Sequence, residues 1–450
     1  MAGTSPGRRV TETQDFTVET AETFHYLFQV FPLQPGEAPE VHRLGPSGTI
    51  GRSPDDGNAI VVPDPLMSRV HAEYRRTSPG PYHFADRASK NGMFVDGVQV
   101  DGRQAAEGTV IRLGGTVFVL REVGLDLPEP PPRDAGFVGF SPPFRRAVEA
   151  CRRAAPGATT VLLCGDTGTG KEVLARYVHA LSGRSGRFVP VNCAAVSPGL
   201  FESALFGHRK GAFTGAAADF AGFARSAHGG TLFLDEVGEL AGEVQAKLLR
   251  FLEAGEVATV GDSSPTRVDV RVLAATNRDL EAAVAAGSFR RDLYARIAQR
   301  VVRLAPLRER PEDVLVLVTA RLRAAGLTLA PDAAEALALH DWPYNVRELI
   351  ALVEDRRLET PDGGVVTLAA LPEAIRARAP GGREGAAVPR AGAPTRDELA
   401  AVLDSCGGNV SETARRLGKD RRQVYRWLTR HGLLRDEGCE TTKSPGPGKP

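Results

Sequence analysis

Apolar and polar positions follow three different patterns along the 450-residue chain. In the first quarter, short alternating runs such as Phe94–Val100 and Val117–Leu120 are separated by segments rich in Gly, Pro and Asp. Alternating runs with such punctuation are typical of an all-β sandwich. We therefore predict a β-sandwich over residues 24–123.

The middle of the chain alternates apolar strands with helical stretches, which predicts a parallel α/β sheet. Val161–Cys164 and Leu232–Leu234 are too uniformly apolar for half-exposed strands, so we expect other elements to cover both of their faces. Near the end, Thr395 and Glu398 form a capping box before the apolar residues of a helix, so the last module is predicted to be all-α.

Two stretches rich in Pro and Gly separate the three modules. Leu127–Asp134 carries several prolines, which favour an extended spacer. Ala379–Pro394 carries glycines among alanines and charged residues, which is typical of a flexible tether. The residues after Glu437 resemble a disordered tail.

Composition narrows the functional classes. A net charge of +1 excludes a wholly basic nucleic-acid binder, so any contact with DNA must come from a local basic patch. The five cysteines are scattered without zinc-like spacing, and the sequence has neither a signal-peptide pattern nor a long apolar run. We expect a soluble cytoplasmic protein with no membrane association.

A phosphate-binding loop follows the first predicted strand of the middle module. It satisfies the Walker A pattern in the context that this pattern requires, between a buried strand and a helix. Its glycines let backbone N–H groups converge on phosphate oxygens, and its lysine adds a point charge. The predicted ATP-binding residues are Gly165, Asp166, Thr167, Gly168, Thr169, Gly170, Lys171 and Glu172.

A second acidic motif ends the strand Leu232–Leu234. Two carboxylates at the end of an apolar strand are costly unless they face a metal ion or a water-lined cleft. We predict that Asp235 holds Mg²⁺ and that Glu236 orients and polarises the attacking water. The module is therefore predicted to bind ATP and Mg²⁺ as cofactors.

Between these motifs lies a stretch of small residues around one aromatic side chain. It consists of Gly211, Ala212, Phe213, Thr214, Gly215 and Ala216, preceded by Leu205, Phe206, Gly207 and His208. Together with the Gly-Asp-Thr-Gly-Thr-Gly-Lys-Glu loop, it resembles the sigma-54-dependent transcriptional activators, which are AAA+ ATPases. The resemblance implies that these six residues contact sigma-54, and it makes a hydroxyl after Lys171 unnecessary, because the family also has Glu there.

The same resemblance assigns further catalytic residues. Asn192 would hold Glu236 inactive until the surface loop engages, and Asn277 would sense the γ-phosphate. Arg290 and Arg296 match the arginine-finger segment, which acts on the neighbouring subunit and therefore requires a hexameric ring. Arg347 matches the second sensor of a helical lid, in a motif where Tyr344 replaces the family's Gly.

The first module carries the pattern of a forkhead-associated (FHA) domain. The matching segments are Gly51 to Ser53, Ser68 to His71, and Asp86 with Ser89 to Gly92. FHA domains bind phosphothreonine, whose charge of about −1.5 to −2 suits arginine, hydroxyl and lysine donors. The predicted phosphothreonine-binding residues are Arg52, Ser68, Arg69, Lys90 and Asn91. His71 is expected to be a packed structural residue.

The last module resembles a Fis-like helix-turn-helix, with Gly418 at the turn. Val424, Trp427 and Leu428 fall on one helical face and are expected to pack inward. Basic and polar residues remain on the outer face and on the preceding helix, where they can contact bases and phosphates. The predicted DNA-binding residues are Arg415, Arg416, Arg421, Arg422, Gln423 and Arg426.

The combined resemblance implies an enhancer-binding activator that hydrolyses ATP and remodels the sigma-54 RNA polymerase holoenzyme. A phosphothreonine-containing protein or a Ser/Thr protein kinase would signal through its FHA domain. Two alternatives remain open: an adaptor that binds phosphopeptides and DNA without ATPase activity, and an AAA+ chaperone. The predicted organisation is FHA domain 24–123, Pro-rich linker 124–135, AAA+ α/β core 136–306, helical lid 307–378, flexible linker 379–394, helix-turn-helix 395–434 and disordered tail 435–450.

Overall fold

A computed structural model describes most of the first 377 residues and scattered positions thereafter. The described residues are 23–33, 39–76, 80–124, 129–130, 137–196, 198–213, 216–261, 265–361 and 363–377, with 399, 400, 402, 403, 406, 413, 424 and 428. The chain forms two compact units, Met1–Arg383 and Glu384–Pro450. In the second unit Leu399, Val424 and Leu428 are buried, as expected for the inward face of the last module.

Among the described residues, eleven strands form the predicted β-sandwich. They are β1 Thr23–Phe31, β2 Glu40–Arg43, β3 Ser47–Gly51, β4 Ile60–Val61, β5 Ala72–Arg76, β6 Tyr82–Asp86, β7 Met93–Val95, β8 Val98–Val100, β9 Gly102–Ala105, β10 Val110–Leu113 and β11 Thr116–Gly124. One sheet has the order β2-β1-β11-β10-β7-β8 and the other β4-β3-β5-β6-β9. Ile50, Phe84 and Phe118 lie between the sheets in a fully buried core.

Strand β11 departs from the alternation of buried and exposed positions that a sandwich strand usually shows. All of Val117–Leu120 is buried, although we interpreted this segment as one of the alternating runs. Phe118 and Leu120 belong to the sandwich core, whereas Val117 and Val119 belong to a different apolar cluster that includes helices from later in the chain. The strand is buried on both faces because a second domain covers its outer face.

The middle of the chain forms the predicted α/β domain. Its elements are α1 Pro142–Ala154, β12 Val161–Cys164, α2 Lys171–Leu181, β13 Phe188–Asn192, α3 Pro198–Phe206, α4 Phe223–Ser226, β14 Thr231–Asp235, α5 Gly242–Ala254, β15 Glu256–Val257, β16 Thr266–Arg267, β17 Arg271–Thr276, α6 Leu280–Ala285, α7 Arg291–Ile297 and β18 Arg300–Arg303. The main sheet has the order β13-β14-β17-β12-β18, and all its strands are parallel. Their carboxyl ends therefore meet at one edge, where ligands bind in open α/β sheets.

A small helical domain, the lid, follows the sheet. It comprises α8 Pro311–Ala324, β19 Thr328–Leu329, α9 Pro331–Leu339, α10 Asn345–Glu359, β20 Val365–Val366 and α11 Glu373–Arg376. The first nine residues of α8, Pro311–Thr319, are all buried. Packing on more than one side explains this, because α8 contacts α9 and α10 within the lid and β1 of the sandwich. Among the described residues, no helix combines the length and apolarity that a membrane span requires.

Candidate functional site

The Walker A loop joins β12 to α2 at the carboxyl edge of the sheet. Gly168 and Gly170 have φ of 78° and 105°, values that favour glycine. A Cβ on Gly168 would lie 2.3 Å from the Tyr344 carbonyl oxygen of the lid, so the lid approaches the loop closely. The loop ends at the N-terminus of α2, where unpaired N–H groups favour an anion. The local structure therefore fits a phosphate-binding loop.

Lys171 lies beneath this loop and is only 6% exposed. Its ammonium Nζ donates hydrogen bonds to the carbonyl oxygens of Gly165 at 2.8 Å and Asp166 at 3.3 Å. It also lies 3.6 Å from the Glu236 carboxylate. The lysine is thus placed between the loop and the acidic motif, where it can reach a phosphate held by the loop.

The acidic motif lies at the end of β14, beside β17. Glu236 has a left-handed φ of 53°, a strained conformation for a residue with a side chain. Its carboxylate accepts a hydrogen bond from the Asn277 backbone N–H at 3.1 Å, and the Asn277 amide donates to the Thr167 hydroxyl at 3.1 Å. Burial, with a further contribution from Glu236, raises the pKa of Asp235. Lys171, Asp235, Glu236 and Asn277 therefore meet at one place.

Asn192 lies directly beside Asp235 on the neighbouring strand β13, but its side chain, like those of Glu172, Arg290 and Arg296, hydrogen-bonds outside this cluster. The Asn192 side chain accepts hydrogen bonds from Ala194 and Ala195 at 2.9 and 3.2 Å and makes none with Glu236. Glu172 turns outward, since it pairs with Arg176 one helical turn later. On the α7 side, Arg290 pairs with Asp292 and Arg296 donates to the Leu252 carbonyl, and both arginines are exposed.

The lid holds the tip of the Walker A loop through three successive carbonyl groups. The Asn345 amide donates to Thr167 at 2.9 Å, the Val346 N–H to Gly168 at 3.0 Å, and the Arg310 guanidinium to Thr169 at 2.9 Å. Because the C=O and N–H of a trans peptide point in opposite directions, peptide units that direct their carbonyls toward the lid direct the following N–H groups away from it. Sequence reasoning assigned no role to Asn345 or Arg310.

Asn345 also explains why Tyr344 is tolerated in the lid motif. Asn345 is buried and left-handed, with φ of 54°, and its side-chain oxygen accepts a hydrogen bond from the Leu307 N–H at 2.8 Å. Tyr344 has φ of −104°, which any residue adopts, so this turn does not require Gly there. Arg347 is exposed on the same segment, and its Cβ would lie 3.3 Å from a Cβ on Gly168.

The predicted sigma-54 loop has a closed base. His208 and Phe220 exchange backbone hydrogen bonds of 2.9 Å, and Gly211, with φ of 83°, donates to the Ala216 carbonyl at 2.9 Å. The Phe213 ring is partly exposed and packs edge-on against His208, with ring centroids 5.0 Å apart. Thr214 and Gly215 lie outside the described residues.

The five predicted phosphothreonine-binding residues come from three loops of the sandwich that hydrogen bonds hold side by side. The Arg52 N–H donates to the Ser68 carbonyl at 3.1 Å, and the Lys90 N–H donates to the Ser68 hydroxyl at 3.1 Å. The Asn91 amide donates to the Leu66 carbonyl at 2.6 Å. Arg52 and Arg69 are among the residues lining an open cavity of about 500 Å³. The structure therefore brings these residues to one surface.

Two further side chains position these loops. Asn58, which sequence reasoning missed, donates to the carbonyl oxygens of Ser53 and Arg69, both at 2.7 Å. His71 is fully buried, accepts a hydrogen bond from the Ser68 N–H at 3.0 Å and lies 3.1 Å from the Gly92 carbonyl. Burial lowers the pKa of His71, although the hydrogen bond to Gly92 opposes this effect. The prediction of a packed structural histidine is confirmed.

The predicted DNA-binding residues lie outside the described part of the chain. They are Arg415, Arg416, Arg421, Arg422, Gln423 and Arg426.

Comparisons with known proteins support the same organisation. Four family models match the chain: the sigma-54 interaction domain at residues 137–303, the FHA domain at 48–114, the AAA+ ATPase lid domain at 308–387, and the bacterial regulatory protein, Fis family, at 396–431. The response regulator protein FleR of Pseudomonas aeruginosa is 46% identical over 53% of this chain, which spans 52% of that protein.

Two further comparisons extend over more of the chain. The transcriptional regulatory protein ZraR of Salmonella typhi is 39% identical over 69% of this chain and 72% of its own length. The crystal structure of NtrX from Brucella abortus in complex with ADP has a TM-score of 0.50 and 32% identity, covering 66% of this chain and 70% of that one. The chain therefore belongs to the sigma-54-dependent transcriptional regulators, and it combines their AAA+ domain and lid with an FHA domain and a Fis-type helix-turn-helix.

Proposed function

We propose that this protein hydrolyses ATP to remodel the sigma-54 RNA polymerase closed complex and that its FHA domain regulates this activity by recognising phosphothreonine. The observation that carries the ATPase proposal is the meeting of Lys171, Asp235, Glu236 and Asn277 at the carboxyl ends of adjacent parallel strands. NtrX, a relative solved in complex with ADP, supports nucleotide binding by this protein.

The residues present fit ATP and Mg²⁺. The Walker A backbone and Lys171 would hold the phosphates, while Asp235 would hold the ion through one carboxylate, which suits Mg²⁺ because it keeps several waters. A bound Mg²⁺ would neutralise charge on the phosphates. Glu236 would orient the attacking water, and Asn277 would report on the γ-phosphate to Glu236 through their hydrogen bond. Arg347 on the lid would add a second charge near the phosphates.

Arg290 and Arg296 are proposed to act on the nucleotide of a neighbouring subunit. Both are exposed and neither approaches the Walker A loop of its own chain, which suits action in trans within a hexameric ring. Asn192 would bind Glu236 only in another state of the cycle, since here it caps its own turn. The loop Gly211–Ala216 would then transmit the change in nucleotide state to sigma-54 through contacts made by Phe213 and Thr214.

We propose that the first module receives the regulatory signal and that the last module binds the target DNA. Arg52, Ser68, Arg69, Lys90 and Asn91 would bind a phosphothreonine from a partner protein or from a Ser/Thr kinase pathway. The predicted DNA-binding residues would place the protein on enhancer DNA in the cytoplasm. We propose the domain boundaries that the sequence predicts.

The alternative is a phosphopeptide-binding adaptor on DNA without ATPase activity. Lys171→Ala separates the two functions because it removes the buried ammonium from the loop, and Lys247→Ala is the matched control, since Lys247 pairs on the surface with Glu202. We expect ATP turnover to disappear in the first variant and to persist in the second. Equal turnover in both purified variants would refute the motor function.

A second experiment tests the coupling to sigma-54. Thr214→Ala is expected to spare nucleotide binding and to abolish transcription from a sigma-54-dependent promoter in vitro. Ser226→Ala, on helix α4 outside the loop, is the control substitution. Full promoter activity of the Thr214 variant would rule out the contact role of the loop.

A further inference from the structure

The FHA domain packs against the lid of the ATPase through the outer face of its larger sheet. Phe28, Val119 and Val123 from this face share one buried apolar cluster with Val314 and Val318 of α8. Two arginines at outward positions of the same sheet complete the contact, one on β10 and one on β11. The interface therefore combines an apolar centre with buried charges.

Arg121 on β11 holds the beginning of α8. Its guanidinium forms a two-pronged ion pair with Glu312, one contact being 2.7 Å, and donates to the Glu309 carbonyl at 2.8 Å. Glu312 is fully buried. Burial works against the charge of Arg121, but Glu312 and Glu107 together raise the pKa of Arg121 above its usual range. Bidentate pairs of this kind fix geometry as well as charge.

Arg310, one of the two residues between these contacts, reaches the nucleotide loop. It is 3% exposed and donates to the Thr169 carbonyl of the Walker A loop at 2.9 Å. Its other terminal nitrogen lies 3.6 Å from Asp313, which in turn accepts hydrogen bonds from Ser141 at the start of α1. Arg121 therefore binds the same turn of the lid from which the Arg310 side chain extends to the phosphate-binding loop.

We propose that Arg121 is a positioning residue for the ATP site: it acts through Arg310, so that the FHA domain forms part of the nucleotide-binding machinery. The proposal rests on the proposed ATPase function and adds a route by which the FHA domain can act on it. A displacement of the sandwich on the lid would move the Glu309–Asp313 turn and loosen the hold of Arg310 on Thr169. The expected consequence is weaker ATP binding rather than slower chemistry.

A second buried ion pair in the same interface provides a matched control. Arg112 on β10 contacts Glu335 of α9 at 2.7 Å, and Glu335 is fully buried, as Glu312 is. Glu335 lies in the middle of α9, and among the described residues no hydrogen bond joins α9 to the Walker A loop. The two pairs therefore hold the same domains together, but Arg121 binds the turn that carries Arg310 to the loop, whereas Glu335 is separated from the loop by the rest of α9 and the turn at Trp342.

The experiment compares two double variants of the full chain, Arg121→Gln/Glu312→Gln and Arg112→Gln/Glu335→Gln. Each replaces a buried ion pair by two neutral amides, which avoids leaving one charge unpaired. The readouts are thermal stability, the Kd for ATP by calorimetry, and KM and kcat for ATP hydrolysis. We expect the first variant to weaken ATP binding about fivefold or more, a typical coupling between sites, with kcat changed less than about twofold. The second should leave ATP affinity at the wild-type value.

Two further variants keep the test decisive. Arg121→Lys retains the positive charge but cannot form the bidentate pair with Glu312. This single variant is used if the Arg121→Gln/Glu312→Gln protein does not fold. In the Arg310→Gln background, the Arg121 substitution should have little additional effect on ATP affinity, because both act through one path. Equal ATP affinity in the Arg121 and Arg112 variants would overturn the proposal while leaving the ATPase intact. A wild-type chain that binds no ATP would instead refute the proposed function and the inference with it.

Discussion

Two surfaces of this protein are proposed to receive phosphate groups, and they are built in opposite ways. The cation within the Walker A loop, Lys171, is 6% exposed and hydrogen-bonded to its own loop. The FHA surface presents Arg52 and Arg69 in the open, around a cavity of about 500 Å³. Its loops are held by side chains behind the surface, Asn58 and His71.

The difference indicates what each surface can admit. A buried ammonium that already donates to two backbone carbonyls has one N–H left for a ligand, which suits a small nucleotide enclosed by the lid. Exposed guanidinium groups remain available to a phosphate on the surface of another protein. The first surface is therefore coupled to domain packing, whereas the second is open to a partner from solution.

The largest effect is expected for ATP hydrolysis when the proposed catalytic carboxylate of the buried surface, Glu236, is substituted. Glu236→Gln keeps the size of the side chain but removes the charge that would polarise water, so we expect ATP hydrolysis to fall about 10²- to 10⁴-fold. ATP binding should persist, since Lys171 and the loop are unchanged. Glu239→Gln is the control, because Glu239 pairs with Arg278 at the surface. A Glu236 variant with normal kcat would remove this residue from the mechanism.

The open surface is tested at its arginine. Arg52→Ala should weaken binding of a phosphothreonine peptide by about 2 to 5 kcal/mol, as for loss of one partner of a charge pair that binding desolvates. ATP turnover without peptide should be unchanged. Arg87→Ala, which removes an exposed arginine paired with Glu73, is the matched control. Calorimetric titrations with equal peptide affinity for both variants would show that Arg52 does not bind the phosphate.

A third substitution tests whether close packing of the lid against the Walker A loop is needed for ATP binding. Gly168→Ala places a Cβ 2.3 Å from the Tyr344 carbonyl oxygen, at φ of 78°, so the loop or the lid must shift. Gly183→Ala has a similar φ of 71° but open space around the Cβ. Each carries a left-handed cost of about 1 to 2 kcal/mol, but only Gly168→Ala should also weaken ATP binding, roughly tenfold. Equal ATP affinity in the two variants would contradict the role of lid contact.

The sequence predicted the residues proposed to bind phosphate on both surfaces better than the residues that hold the binding loops in place. Lys171, Asp235 and Glu236 stand in contiguous motifs whose spacing places them at strand ends, and the structure brings them together. Asn345 and Arg310 lie far along the chain from the loop that they hold, and nothing in a linear pattern indicates which carbonyls they reach.

The docking of the sandwich on the lid was also missed, and for a similar reason. Arg112 and Arg121 occupy outward strand positions, where an arginine ordinarily faces water. The available signal was the uninterrupted apolar run Val117–Leu120, which is typical of a strand covered on both faces. We interpreted it as one of the alternating runs of the sandwich, and the lid explains why both of its faces are buried.

The smallest expected effect concerns protonation of His71, which holds the loops of the FHA surface in place. Burial lowers the pKa of His71 below its ordinary value of 6.5, so the folded state binds fewer protons than the unfolded state near that pH. The stabilisation by neutral His71 is therefore complete above about pH 6.5 and is lost as the pH falls toward the lowered pKa. Protonation would also place a donor on the ring nitrogen that accepts from Ser68, which would loosen the loop carrying Ser68 and Arg69.

Urea unfolding of the full chain at pH 7.5 and 5.5 measures this contribution. His71→Gln offers an acceptor and a donor without titrating, so its loss of stability between the two pH values should be smaller than that of the wild-type protein. His83→Gln, at an exposed position of β6, should lose as much as the wild type. Identical pH dependence in the two histidine variants would show that the buried ring does not control the stability of the open surface.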